Sequence, residues 1–223
     1  MSSMNVLVLA PHADDEVLGC GGTIARHVAE GDSVTIVVAT RGIPELFPDE
    51  EMEQIRGEAR KAHAMLGVSE SRFFDFPAPA LDTVPRYKLA GAISEVIRDV
   101  LPRVLYIPHH GDIHSDHFHL HHAALVAARP LAGCPVRKIL AYETVSETEW
   151  APPHSDAPFY PTCFIDISEH LSKKLEAMSC FESQVKEPPD ARSLRNLEAL
   201  AHYRGATIAR DAAEAFVVIR EIV

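Results

Sequence analysis

Two short clusters bring together side chains that can do acid, base or metal chemistry. The first, His12-Ala13-Asp14-Asp15-Glu16, sets a histidine and three consecutive acids directly behind an apolar run. The second begins at His109-His110-Gly111-Asp112 and continues through His114-Ser115-Asp116-His117. Seven of the thirteen histidines fall between His109 and His122. Adjacent carboxylates repel one another, and a divalent cation is the largest local charge that relieves them. His12 precedes Asp15 by three residues, so both can reach one ion across a tight turn. His114 and His117, also three apart, share a face if a helix begins there. His12, Asp15 and His117 make a three-ligand set with open positions, the plan of a catalytic zinc site and not of a closed structural one. Water on such an ion ionises near neutral pH, and Asp14, which is not a ligand, is the carboxylate to take its proton. His114 is left to stabilise a developing oxyanion, with Asp116 holding its tautomer.

Each feature also has a plainer account. Asp14 fits a helix N-cap, and acids in a first turn suit the macrodipole. Asp112 either bonds a ligand histidine or caps the following helix. His109 and His110 read as pocket wall, and His119, His121 and His122 as partly solvated helix positions. The run Gly19-Cys20-Gly21-Gly22 departs from G-x-G-x-x-G, and acids at that helix start would oppose a pyrophosphate. Two histidines with one carboxylate also form the ligand triad of non-haem iron oxygenases. That leaves hydrolysis, oxygenation and non-catalytic metal or saccharide binding as the functional classes.

Both clusters follow strand-like runs. Short β-branched or aromatic segments at 5–10, 33–39, 71–76, 103–108, 137–142 and 162–167 alternate with 3.6-residue periodicity at 16–30, 50–66, 87–100 and 117–129. Further helices are expected near 168–185 and 191–203, and a last strand or apolar tail in 213–223. This alternation predicts an α/β, Rossmann-like fold with a mostly parallel sheet and helices on both faces, in one domain over 1–223. In such sheets ligands bind beyond the carboxyl ends of the strands, where both clusters fall. Loops 42–50, 77–86 and 151–161 are expected to wall the pocket.

Composition narrows the partners. A net charge of -11 over 223 residues argues against nucleic acid and anionic membranes. No apolar run approaches the roughly 20 residues of a membrane span, and the N-terminus lacks a basic signal region. Four scattered cysteines without a C-x-x-C pair are expected to be reduced, mostly buried and cytoplasmic. Monomer and homo-oligomer both fit.

Taken together, "PHADDE" (11–16) and "HSDH" (114–117) resemble the motifs of the LmbE/PIG-L family of zinc-dependent N-deacetylases. Supporting similarity runs through "IRGEARKAHAMLGV" (55–68), "AYET" (141–144), "AMSCFESQV" (177–185) and "AEAF" (213–216). The resemblance implies His12, Asp15 and His117 as metal ligands, Asp14 as general base, and His114 backed by Asp116 as oxyanion stabiliser. It adds Arg56 as a substrate-binding arginine. It implies Zn2+ and an N-acetylated sugar or conjugate as substrate; by ligand softness the same donors suit Fe2+ in the cell, and amide cleavage of a larger thiol or sugar conjugate is the alternative. Ala13 and Ser115 stand where the family usually has proline.

Overall fold

The computed structural model describes residues 3–152 and 157–223. Among these, seven strands form one sheet: β1 (Asn5–Ala10), β2 (Ser33–Gly42), β3 (Glu70–Ala78), β4 (Val104–Pro108), β5 (Lys138–Tyr142), β6 (Cys163–Asp166) and β7 (Ala213–Glu221). The strand order is β3-β2-β1-β4-β5-β7-β6. The first five are mutually parallel, and β7 enters antiparallel between β5 and β6. The chain therefore reverses direction across the sheet on either side of β1, which makes the β1/β4 edge the switch point where α/β sheets open a crevice.

Six helices cover the faces: α1 (Asp15–Ala29), α2 (Asp49–Leu66), α3 (Arg86–Val100), α4 (Ser115–Ala127), α5 (Leu171–Ser179) and α6 (Leu194–Ala206). The continuous apolar reading of β1 follows from this two-sided cover. Val6 and Val8 pack into the layer with Leu18, Ile24 and Phe181, while Leu7 and Leu9 face Ile93, Leu120 and Ile139. All four β1 side chains are fully buried, each stabilising the fold by about 1.5–3 kcal/mol. α2 ends on Gly67 at φ 82, a left-handed C-cap that glycine adopts without steric cost.

The Gly19-Cys20-Gly21-Gly22 run lies inside α1 and serves packing. A Cβ at Gly19 would overlap the Tyr142 ring, and one at Gly22 would lie 2.6 Å from Ile167 Cδ1. The absent side chains let α1 lie close on the sheet.

Two expectations change here. The fifth helix stops at Ser179 although the apolar pattern runs on to Val185, because Phe181 turns inward to full burial while residues 181–185 close a local turn. Only Cys20 is buried; Cys134, Cys163 and Cys180 are half-buried, and all four are free. No helix among the described residues is long and apolar enough to cross a membrane.

α4 begins on His114 as N-cap, at φ -78 and ψ 123, with Ser115 as the first helical residue. That extended N-cap is the conformation proline requires of the residue before it, and the first helical position suits proline best. Ser115→Pro should therefore raise stability by about 0.4–1 kcal/mol. On a chain of this size that is a Tm increase of roughly 1–4 °C by thermal melt. A lower Tm would show that the turn is not preset for the ring.

Candidate active site

The turn after β1 and the start of α4 meet at the switch point. The three consecutive acids at 14–16 diverge, and each finds a different partner. Asp15 turns to two imidazoles: its Oδ2 lies 3.2 Å from His12 Nδ1 and 3.3 Å from His117 Nε2. Asp14 turns to Arg192, whose Nη1 donates to Asp14 Oδ2 at 2.9 Å. Glu16 turns inward to His63, Oε1 to Nε2 at 2.9 Å, and its Oε2 accepts the Asp14 backbone N–H at 3.2 Å. Asp14 occupies the N-cap position of α1 without any side-chain capping bond. Its backbone stands at φ 122, a region non-glycine residues rarely enter, at a cost on the order of 1–3 kcal/mol. The surrounding fold spends stability to aim this carboxylate.

Both histidines beside Asp15 have their other ring nitrogen on a carboxylate. His12 Nε2 lies 3.2 Å from Asp116 Oδ2, and His117 Nδ1 lies 2.8 Å from Asp112 Oδ2. Thr148 Oγ1 donates to Asp112 Oδ1 at 2.6 Å, and the Leu81 backbone N–H donates to Asp116 Oδ1 at 3.0 Å. With those outer nitrogens protonated, His12 Nδ1 and His117 Nε2 each present a lone pair inward, the arrangement carboxylate–histidine pairs give metal ligands. Asp112 is thus a histidine partner and not a helix cap. Asp116 differs from expectation: its carboxylate hydrogen-bonds His12, and its hydrogen bond to His114 comes from its backbone N–H, which donates to His114 Nδ1 at 3.1 Å. That bond leaves the proton of a neutral His114 on Nε2, so the ring is a donor. Burial and the neighbouring His12 hold its pKa below the usual value, which favours the neutral form.

His12, Asp15 and His117 each offer a ligand atom within 4.8 Å of the others. Donors at zinc distances of about 2.0–2.1 Å lie about 3.3 Å apart along a tetrahedral edge, matching the two separations to Asp15. His117 Nε2 and Asp15 Oδ1 are buried without a hydrogen-bond partner, and such orphaned atoms demand a compensating group. The donor set therefore fits a divalent ion. The protein field agrees. Burial opposes charge on the imidazoles, yet Asp116 and Asp15 lift His12 to about 9, and Asp15 and Asp112 lift His117 to about 10. The site attracts positive charge. For Asp14, burial raises the pKa and Arg192 pulls it back, while Asp15 and Glu16 raise it further, to about 7.

These groups open onto a cavity of about 300 Å³. Its polar lining includes His12, Asp14, His114, Glu147 and Gln184, with Arg192 bonded to Asp14, and Phe47, Met52 and Ile55 supply apolar lining. Gly42 and Ala78 line it, as expected for loops 42–50 and 77–86. None of the described residues of 151–161 does, and 153–156 lie outside the description. Arg56 also lines the cavity, pinned by hydrogen bonds to Phe74 O at 2.6 Å and Asp75 Oδ1 at 2.7 Å.

Arg192, Glu147 and Gln184 reach the cavity without any spacing signal in the sequence. Arg192 lies one residue before the Ser193 N-cap of α6, inside what the periodicity reads as helix. Among the other histidines, His109 bonds Ala157 O at 2.9 Å. His121 is buried, contrary to expectation, and bonds Pro108 O through Nδ1 at 2.8 Å. Burial holds its pKa down at about 4. A histidine depressed on folding supports the native state above its unfolded pKa near 6.5 and loses that support as pH falls towards 4. Between pH 7 and 5 His121 should cost the fold about 2 kcal/mol. His121→Gln should flatten that acid limb in urea melts; an unchanged limb would assign it to other groups.

A family model described as PIG-L: GlcNAc-PI de-N-acetylase matches residues 7–128, a span that contains all three ligand candidates. A 1D-myo-inositol 2-acetamido-2-deoxy-alpha-D-glucopyranoside deacetylase from Saccharomonospora viridis is 30% identical, over 86% of this chain and 89% of its own. An N,N'-diacetylchitobiose deacetylase from Pyrococcus horikoshii superposes with a TM-score of 0.78 at 20% identity, covering 98% of this chain and 85% of that one. GalB, a 4-carboxy-2-hydroxymuconate hydratase from Pseudomonas putida KT2440, superposes with a TM-score of 0.75 at 21% identity, covering 99% and 98%. At these identities the two structures attest the fold alone, and they attest that it hosts more than one reaction.

Proposed function

The chain belongs to the PIG-L family of de-N-acetylases, and from that membership we propose that it is a zinc-dependent amidohydrolase. It removes an N-acetyl group from an N-acetylglucosamine-type sugar or conjugate, as a single cytoplasmic domain. The observation that carries the reading is the pair of orphaned buried atoms, His117 Nε2 and Asp15 Oδ1, beside a carboxylate that is not itself a ligand candidate. Zinc suits two imidazoles and a carboxylate, and ferrous iron is the other ion for that set.

His12, Asp15 and His117 would hold the ion, which when bound supplies the Lewis acidity that makes water a nucleophile near neutral pH. Asp14 Oδ1, the oxygen not engaged by Arg192, takes the proton of the attacking water. His114 Nε2–H donates to the amide carbonyl oxygen as negative charge develops there. Asp14 then returns the proton to the departing nitrogen, whose C–N bond breaks to give acetate and a free amine. Burial and the neighbouring Asp15 and Glu16 raise its pKa above the ordinary carboxylate range, which suits one carboxylate for both transfers. Arg56, on the cavity wall, is a donor for sugar hydroxyls.

The test is a fluorescamine assay for primary amine released from N-acetylated sugars and conjugates, with metal-stripped protein as control and metal content measured alongside. Amine formation that returns with zinc supports the reading. Loss of absorbance from an unsaturated acid without amine formation would favour a hydratase, the activity of the GalB neighbour. Oxygen uptake with a ketoacid and iron would favour an oxygenase. Metal or saccharide binding without turnover would leave a binding protein.

A further inference from the structure

Arg192 has no assigned part in the chemistry above, yet its guanidinium is bonded directly to the proposed base. Its Nη1 donates to Asp14 Oδ2 at 2.9 Å and lies 3.4 Å from Gln184 Oε1. Its Nε donates to Ser146 Oγ at 2.8 Å, and its Nη2 lies 3.8 Å from Glu147 Oε1. Its backbone N–H donates to Asp190 Oδ1 at 2.8 Å. The anchor is itself unusual: Ser146 is buried and stands at φ 67, left-handed for a non-glycine residue. Two strained residues, Asp14 and Ser146, are thus joined through one guanidinium.

This clamp answers a problem built into the motif. Asp14 is covalently next to a ligand candidate and faces the same cavity, so a divalent ion would attract it as a fourth protein ligand. Four protein ligands make a closed structural site, whereas catalysis needs an open position. A charge-assisted hydrogen bond from a half-buried guanidinium to a buried carboxylate is among the stronger competitors for its oxygen. We infer that Arg192 is a positioning residue that holds the Asp14 carboxylate off the metal, keeping Asp14 a free base and the coordination sphere open to water. The inference rests on the metal-site reading given above.

The experiment compares wild type, Arg192→Met, Arg192→Lys, Asp14→Asn and the Arg192→Met/Asp14→Asn pair, each checked for folding by circular dichroism. Zinc affinity is measured by competition with a chromogenic chelator, and the visible absorption of Co2+-loaded protein reports coordination. Arg192→Met should bind zinc about tenfold tighter, since partners outside the coordination sphere shift metal affinity by roughly 10–100-fold. Its cobalt bands should change shape and intensity, and its kcat should fall while KM stays within a few fold. Arg192→Lys, which keeps the charge, should lie between it and wild type. Adding Asp14→Asn should abolish the tightening, because the intruding ligand is gone. Equal zinc affinity and equal cobalt spectra in wild type and in whichever Arg192 variant folds would overturn the inference and leave the metal site standing. Failure of wild type to bind any divalent ion would overturn both.

Discussion

Asp14→Asn is expected to lose roughly 10²–10⁴-fold in kcat while keeping the full metal content of the wild type. The amide is the informative replacement. Asparagine tolerates positive φ better than most residues, so the strained turn at φ 122 survives, and its oxygen still accepts from Arg192. What it loses is the ability to hold and return a proton. Alanine at this position would combine that loss with backbone relaxation and an unpaired guanidinium, and its slower turnover would be harder to interpret. Amine release under saturating substrate, with metal determined by mass spectrometry on the same sample, separates the two properties. Turnover near the wild-type rate would remove Asp14 from the chemistry.

His117→Ala carries the second large effect, on metal and on stability together. The ring is fully buried between Asp15 and Asp112, both buried themselves. Deleting it removes one ligand and strands two carboxylates in a dry environment, at a cost of about 3–5 kcal/mol for the broken buried pairing. Zinc affinity should fall by more than about a hundredfold, beyond what loss of an outer partner does. Added zinc should then no longer raise Tm, whereas an ion at a thousand times its dissociation constant stabilises wild type by about 4 kcal/mol. A variant that melts and binds zinc like wild type would place the ion elsewhere.

The parts of this site that follow from local pattern were legible in the sequence. Val6 to Ala10 had to be a two-sided buried strand, and a histidine and acids at its end had to sit on the rim where α/β sheets bind ligands. The same held for Val104 to Pro108 and the cluster after it, so two segments about a hundred residues apart could be brought to one place. What crossed between segments was not legible. Sequence proximity pairs Asp116 with His114, but its carboxylate reaches back to His12, because the choice depends on how α4 docks beside β1. Arg192 was invisible for the same reason. Its partners lie at positions 14, 146, 147 and 184, and no spacing in one sequence encodes such a convergence. The apolar rhythm overstates the length of the fifth helix, since Phe181 keeps that rhythm after the backbone has turned. That turn is what brings Gln184 to the cavity. The final strand could be recognised by its β-branched run, but its slot between β5 and β6 is a matter of sheet pairing.

That slot has a bearing on biogenesis. On a ribosome the imidazoles proposed as metal ligands and their supporting carboxylates emerge first, within a contiguous parallel half-sheet. The guanidinium that restrains the base comes some seventy-five residues after His117, and the antiparallel strand bridging β5 to β6 comes later still. A chain stalled before that stage would carry the candidate donors without the restraint on Asp14, so an ion captured early meets an unguarded carboxylate free to become its fourth protein ligand.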